Sequence, residues 1–474
     1  MKIRFLFITG FFLLNTTFVF AQTVTDGEVS RIAREIVQLE QEIQLLEDEN
    51  DIENLQRIFG FYTDKHQWTQ AADLFVDDAT IEIGGSGVYV GKQRILDYMH
   101  SLGEAGPQEG ILDDHMQLQP VIHVYSDGTA KGRWHHFSQE AEFGVSHHWS
   151  AGTYENAYVK EDGVWKISKL HLYSTMRTPV EDGWHITALP RSQPSDDLPP
   201  DLASSMEYEN YPAAFVVPFH YNNPVTESND GGPESAPVGF LNLVTSANSR
   251  TSEQSAVVNI DVGDGLIDYS LDELLDVLER RTDRLEDADA IERLQTIYGY
   301  YLARNQWDEL TGIFAPDGTI EIAMRGVYRG AESIRRNLDL YGVQDELPGQ
   351  LHNHMQYQPV IHIAEDGQTA NLRSRAFSMM GTFGNQGRFM GGTYENIYEK
   401  RDGVWMLYKD QQINTYFAGT DDGWINLTRS SPPGITESNP PDEPPTMNFE
   451  MFPKAFLPPY HYANPVTGSV EVVE

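Results

Sequence analysis

The chain has 474 residues, a formal net charge of −38 and no cysteine. That length exceeds one ordinary core and calls for two or three domains. The lack of cysteine excludes disulfides, thiolate nucleophiles and Cys-held zinc or iron–sulfur sites, and the acidity argues against nucleic acid or an anionic membrane as a partner.

The opening segment, MKIRFLFITGFFLLNTTFVFAQ, sets Lys2 and Arg4 ahead of an apolar run and ends in Val19-Phe20-Ala21, with small residues where a signal peptidase reads. Residues 1–21 are read as an export signal, so the mature protein is expected to be periplasmic or secreted. Asn15, Thr16 and Thr17 interrupt the run, which is short for a bilayer span, and no later segment is apolar enough to cross a membrane.

The rest of the chain is written twice. DIENLQRIFGFYTDKHQWTQAADLFVDDATIEIGGSGVYVG from Asp51 matches AIERLQTIYGYYLARNQWDELTGIFAPDGTIEIAMRGVYRG from Ala290. DDHMQLQPVIHV from Asp113 matches HNHMQYQPVIHI from His352, and GTYENAYVKEDGVWKI from Gly152 matches GTYENIYEKRDGVWML from Gly392. This is a tandem duplication of a unit of about 200 residues, too long for a solenoid repeat. The units are bounded at 27–226 and 268–467, and the Ser-, Gly- and Pro-rich segment 227–267 reads as a flexible linker.

Each unit opens with a long helix. Val29, Ile32, Ile36, Leu39, Ile43 and Leu46 form a heptad seam, and Leu271, Leu274, Leu278 and Leu285 form another with polar Arg281 inside it. Such seams predict pairing of the two helices within the chain or across a homodimer, or a helix lying on its own domain. After a second helix through Trp68 or Trp307, the period shortens from helical to alternating. TIEIGG, GVYVG, MQLQPVIHV, TAKGRWHHFSQEA, SAGTYENAYVKE and VWKISKLHLYS read as strands, with Asp-Gly turns at Asp127-Gly128 and Asp162-Gly163. Helices followed by antiparallel strands predict an α+β fold: two cone-shaped domains, each a curved antiparallel sheet with N-terminal helices closing a pocket. Each unit ends in a Pro-flanked aromatic arm, FHYNNPVT or YHYANPVT, in which His220 and His461 either overhang a pocket or strap an edge.

The order of helices, the Trp-containing helix end, the strand-opening His, the Asp-Gly turn and the late DGVW resemble the SnoaL-like branch of the nuclear transport factor 2-like superfamily. The resemblance covers roughly 28–184 and 271–424, and its members range from polyketide cyclases and scytalone dehydratases to steroid isomerase relatives and non-catalytic binding modules. It implies a catalytic acid/base at His115 and His354. The acid it places in the first helix, seven residues before the Trp, falls on Phe61 and Tyr300.

Strand parity puts His115, Gln117, Gln119, Val121 and His123 on one face, with His354, Gln356, Gln358, Val360 and His362 matching, unless Pro120 introduces a bulge. A neutral-range imidazole suits proton shuttling, so His115 and His354 are candidate catalysts together with the phenols Tyr62 and Tyr301. His123, His362, Gln117, Gln356, Arg133, Arg373, Tyr154, Tyr394, Asn156 and Asn396 are candidate substrate contacts. Glu82 and Glu321 are buried bases or solvated strand residues. The extra His135, His136, His147, His148 and His171 of the first copy invite a metal, but adjacent strand histidines face opposite ways and no HExxH motif is present, so neither metal nor cofactor is expected. P-loop, Rossmann and GxSxG signatures are missing. Two expectations follow: a cofactor-free lyase, isomerase or cyclase acting on a small apolar or aromatic molecule, or a non-catalytic ligand-binding or protein-association module.

Overall fold

The computed structural model describes residues 26–222, 257–261, 266–345, 348–421, 423–425 and 437–470. The export signal and most of the linker lie outside the described residues.

The first copy runs α1 (Asp26–Thr63), α2 (Trp68–Asp73), β1 (Phe75–Ile83), β2 (Val88–Val90), α3 (Lys92–Leu102), β3 (Ile111–Val124), β4 (Thr129–Glu142), β5 (Ser146–Glu161) and β6 (Val164–Pro179). A two-stranded ribbon, β7 (Val257–Asp261) and β8 (Leu266–Ser270), precedes the second copy. That copy comprises α4 (Leu271–Leu302), α5 (Trp307–Gly312), β9 (Phe314–Ile322), β10 (Tyr328–Arg329), α6 (Gly330–Leu338), β11 (Gln350–Ile363), β12 (Thr369–Thr382), β13 (Gln386–Arg401) and β14 (Val404–Gly419). Among these elements no helix is long and apolar enough to cross a membrane.

Each copy is a six-stranded open sheet, in the orders β2-β1-β6-β5-β4-β3 and β10-β9-β14-β13-β12-β11. The expected antiparallel pattern needs one correction. β1 runs parallel to β6, and β9 parallel to β14. The whole α3-to-β5 excursion separates β1 from β6, which is the long crossover a parallel pair requires.

The first helix of each copy lies on one sheet face and is latched there by the Trp of the late DGVW motif and the Lys just before that turn. Asp48 accepts the indole N–H of Trp165 (2.9 Å) and pairs with Lys160 (2.7 Å). Asp287 does the same with Trp405 (2.7 Å) and Lys400 (2.8 Å). The helices also pair with each other: Ile36, Ile43, Leu274 and Leu278 are buried, and Arg281 bonds Glu47 (2.9 Å) and Gln44 (3.0 Å) across the seam. Leu39, by contrast, is exposed.

The helix-free faces of the two sheets pack on each other. Trp149 meets Trp424 (4.7 Å between ring centres) and Phe389 (5.9 Å), and Leu112, Ala141, Tyr416, Ala418 and Phe452 complete a core drawn from both copies. Fully burying each large side chain there is worth about 1.5–3 kcal/mol, enough to hold the copies as one body.

The C-terminal arms are straps. Buried Glu82 accepts the backbone N–H (2.9 Å) and hydroxyl (2.6 Å) of Ser205, and Glu321 does the same for Thr446 (2.8 and 2.5 Å). The second arm crosses onto the first copy, where Tyr460 donates to the Phe61 carbonyl (3.2 Å) and Asn464 to that of Gln70 (3.0 Å).

Candidate functional site

The site begins where α1 ends. Asp64 stands in the turn after the helix, four residues before Trp68, and its Oδ1 accepts the backbone N–H of His115 at 2.7 Å. The His115 ring follows: its Nδ1 lies 3.3 Å from the same oxygen, at ion-pair distance but poorly aligned for a hydrogen bond. Asp64 is buried and His115 keeps 26% of its side-chain surface accessible. α1 comes this close to β3 because Gly60 carries no side chain; a Cβ there would stand 2.8 Å from Gln117 Cγ and 2.9 Å from Gln358 Nε2.

Neighbouring strands complete the cluster. The His136 ring stacks on His115 at 5.7 Å and meets Tyr154 edge-on at 5.6 Å. Glu140 accepts the Ser138 hydroxyl (2.7 Å) and lies 3.6 Å from Arg177. Asp113 is taken by His66 (2.7 Å). Gln117 is held through its Oε1 by Gln56 of α1 (2.9 Å).

The second copy supplies part of this site. Arg375 of β12 ion-pairs with both Asp64 and Asp114 and reaches the His115 carbonyl at 3.4 Å. Its own copy aids it through Gln358, whose Oε1 accepts from Arg375 Nε (3.2 Å) and from the Gln117 backbone N–H (3.0 Å).

These contacts set the charges. Burial opposes protonation of His115, but Asp64, Asp113 and Glu140 outweigh it and raise its pKa to about 9. Burial pushes the Asp64 carboxyl up, yet Arg375 and His115 hold it below its ordinary value. Glu140 is likewise held low against burial, by His115, Ser138 and Arg177. His136 is driven down to about 3, by burial and then by the charge on His115. The neutral ring leaves Nε2 buried without a partner.

The second copy lacks this arrangement because Ala303 stands where Asp64 does. His354 instead accepts the Ser378 hydroxyl at Nδ1 (2.8 Å), and its Nε2 faces His352 Nε2 (2.7 Å), whose Nδ1 faces Asn305 Oδ1 (3.2 Å). One tautomer set satisfies the chain: Nε2–H on His354 and Nδ1–H on His352, running from Ser378 to Asn305. Burial and then His352 hold His354 far below its ordinary pKa, and burial and then Arg304 hold His352 at about 4, so both are neutral. They line a cup of about 180 Å³.

The parity reading breaks at Gln119-Pro120. Gln119 has φ +52°, and the β3–β4 register slips by one residue between Leu118 and Val121; β11 repeats this at Gln358. Beyond the bulge the faces exchange, so His123 and His362 point opposite to His115 and His354. His123 bonds His220 of the arm (2.9 Å), and His220 bonds Glu155 (2.8 Å), which pairs with Arg133. His362, His461, Glu395 and Arg373 repeat the chain. Arg133 and Arg373 also donate to arm carbonyls, those of Pro218 (2.9 Å) and Pro459 (3.1 Å).

The remaining candidates are dispersed. Tyr62 is buried against Tyr460 of the second arm (5.4 Å), and Tyr301 is half-buried at the rim of the second core. Asn156 joins Gln56 (3.0 Å) to the backbone N–H of His171 (3.0 Å), and Asn396 joins Gln295 (2.9 Å) to that of Gln411 (3.0 Å). Gln356 is bonded by Gln295 (3.0 Å), and Tyr394 packs edge-on to Tyr298. The structure thus gathers His115, Gln117 and Tyr154, and adds Asp64, His136, Glu140 and Arg375. Phe61 and Tyr300 are not the helix-end acid: Phe61 is core and Tyr300 is 72% exposed. The signal for Asp64 was the pairing of an acid in FYTDKHQW with alanine in YYLARNQW. Among the described residues no three His, Asp or Glu side chains converge in a metal-binding group.

A SnoaL-like domain family matches residues 44–171 and again 283–409, together more than half of the chain. The chain belongs to the SnoaL-like family. Solved structures similar to single SnoaL-like copies include a type 2 hexachlorocyclohexane dehydrochlorinase, 26% identical over 32% of this chain and 99% of that one, with a TM-score of 0.26. A type 3 enzyme from Novosphingobium barchaimii is 25% identical over 29% and 92%, with a TM-score of 0.26. A protein of unknown function from Mycobacterium tuberculosis is 20% identical over 27% and 76%, with a TM-score of 0.24. Among curated proteins none matches.

Proposed function

We propose that the first SnoaL-like copy is a cofactor-free proton-transfer catalyst of the lyase or isomerase kind. It acts on a small apolar or aromatic molecule, in a protein exported to the periplasm or beyond. The observation that carries this reading is the His115–Asp64 pair: a partly accessible imidazole beside a buried carboxylate that a second-copy arginine fixes in place. With a pKa near 9 the ring enters as imidazolium and serves as the acid, giving its proton to a departing hydroxyl or an enolate oxygen. Glu140, kept ionised, is the carboxylate on hand to take a carbon-bound proton. The unpartnered Nε2 of neutral His136 bonds a substrate oxygen, while Gln117 and Tyr154 bound the site. In this reading Tyr62, Tyr301, His123, His362, Arg133, Arg373, Asn156, Asn396, Gln356 and Tyr394 hold the scaffold.

The test is a turnover screen over aromatic hydroxy-ketones and diols with wild type, His115→Asn, Asp64→Asn and His354→Asn. Loss of general acid catalysis lowers turnover by about 10²–10⁴-fold in the first two variants and leaves the third near wild type. For the active substrate, kcat/KM falls as pH rises through about 9. Undiminished turnover in His115→Asn overturns the reading. Ligand binding without catalysis is the better reading of the second copy, because Ala303 removes the carboxylate that would charge His354.

A further inference from the structure

The second copy's cup contains a buried cation at a position where the first copy has a serine. Arg325 sits in the turn between β9 and β10, is only 3% exposed, and lines the cup alongside His354. Its Nε and Nη1 are buried and have no hydrogen-bond partner, and no carboxylate lies at ion-pair distance among the described residues. The guanidinium carbon stands 4.8 Å from the centre of the Tyr341 ring. The matching position in the first copy is Ser86.

A guanidinium cannot shed its charge by deprotonating, so a buried one without a counter-ion is a standing cost that an anion relieves. The cup is suited to one. Although the chain carries 71 acidic residues, none of the described residues lining this cavity is Asp or Glu, and Arg388 adds a second cation. Asn414, also lining it, keeps a buried Oδ1 without a partner. Met380, Met390 and Phe417 give the cup an apolar part of its lining. At about 180 Å³ the cavity is slightly larger than the ~150 Å³ that accommodates a benzene ring in a protein core.

We propose that the second copy is a binding site for a small monocarboxylate whose apolar body is about one ring in size, with the carboxylate on Arg325 and the body against the two methionines and Phe417. This site works independently of the first copy's chemistry, since neither Arg325 nor its neighbours in the cup touch Asp64 or His115.

The probe is sodium benzoate, titrated calorimetrically into the full chain, with benzamide as its uncharged counterpart. Wild type and His115→Asn are expected to bind one benzoate per chain, and benzamide at least about ten-fold more weakly. Arg325→Met and Arg325→Ser, the latter restoring the first-copy residue, are expected to lose about thirty-fold or more in benzoate affinity. Without benzoate, both variants should melt no lower than wild type, because each removes an unpaired buried charge. Benzamide binding as tightly as benzoate, equal benzoate affinity in wild type and Arg325→Met, or no benzoate binding by wild type up to about 10 mM would each overturn the proposal. Losing benzoate in His115→Asn while Arg325→Met retains it would move the anion site to the first copy and overturn it equally.

Discussion

Replacing Arg375 with methionine tests whether the second copy is structurally part of the first copy's site. The side chain is 4% exposed and ion-pairs with Asp64 and Asp114, themselves 5% and 9% exposed. Methionine fills the volume but strands buried Asp114 and leaves Asp64 with His115 alone, and breaking a buried pair from one side costs about 3–5 kcal/mol. Because the loss comes mainly from the orphaned Asp114, adding Asp114→Asn to Arg375→Met should recover about 1–3 kcal/mol, though Asp114→Asn alone is destabilising. Urea denaturation of wild type, both single variants and the double variant gives the cycle directly. A loss below about 1 kcal/mol for Arg375→Met, as for an exposed ion pair, or no recovery in the double variant, would mean that Arg375 does not tie the two copies together at this site.

Other predictions follow from buried groups. Asp410 is fully buried, accepts the Tyr298 hydroxyl (2.9 Å), and has its pKa raised from 3.8 to about 7 by burial. The native state therefore holds a proton that the unfolded chain releases, so stability should fall as pH rises from about 4 to 7, by on the order of 4 kcal/mol at most. Asp410→Asn should flatten that part of the pH–stability curve; a wild-type curve already flat between those values would count against it. For the straps, Glu82→Gln replaces a charged acceptor of two Ser205 bonds, at a cost of about 2–4 kcal/mol, and should speed proteolysis within residues 185–222. Unchanged cleavage would mean the arm is held elsewhere.

Much of this architecture is written in local patterns. The duplication, the heptad seams and the succession of helices and strands along the chain follow from periodicities that each copy repeats, whereas the parallel β1–β6 and β9–β14 pairs do not; the late DGVW carries its meaning in Trp165 and Trp405, which latch the first helices. The site was less legible for three physical reasons. The bulge at Gln119-Pro120 inverts parity halfway along β3, sending His123 to the arm while His115 stays beneath α1. Asp64 stands in a turn, where no periodicity marks it. Arg375 meets Asp64 across 311 positions, through sheet faces whose packing no local pattern announces. Glu82 and Glu321, readable as solvated strand residues, are buried because the arms fold back onto them.

The two copies hold their equivalent histidines in opposite charge states. Imidazole ¹⁵N spectra recorded against pH, with His115→Asn and His354→Asn assigning the signals, read this directly. His115 is expected to be an imidazolium at pH ~7.5, to titrate near 9, and to drop toward or below the ordinary 6.5 in Asp64→Asn, while His354 stays neutral well below 6.5. A wild-type His115 that loses its proton at or below 6.5, or that titrates together with His354, contradicts it.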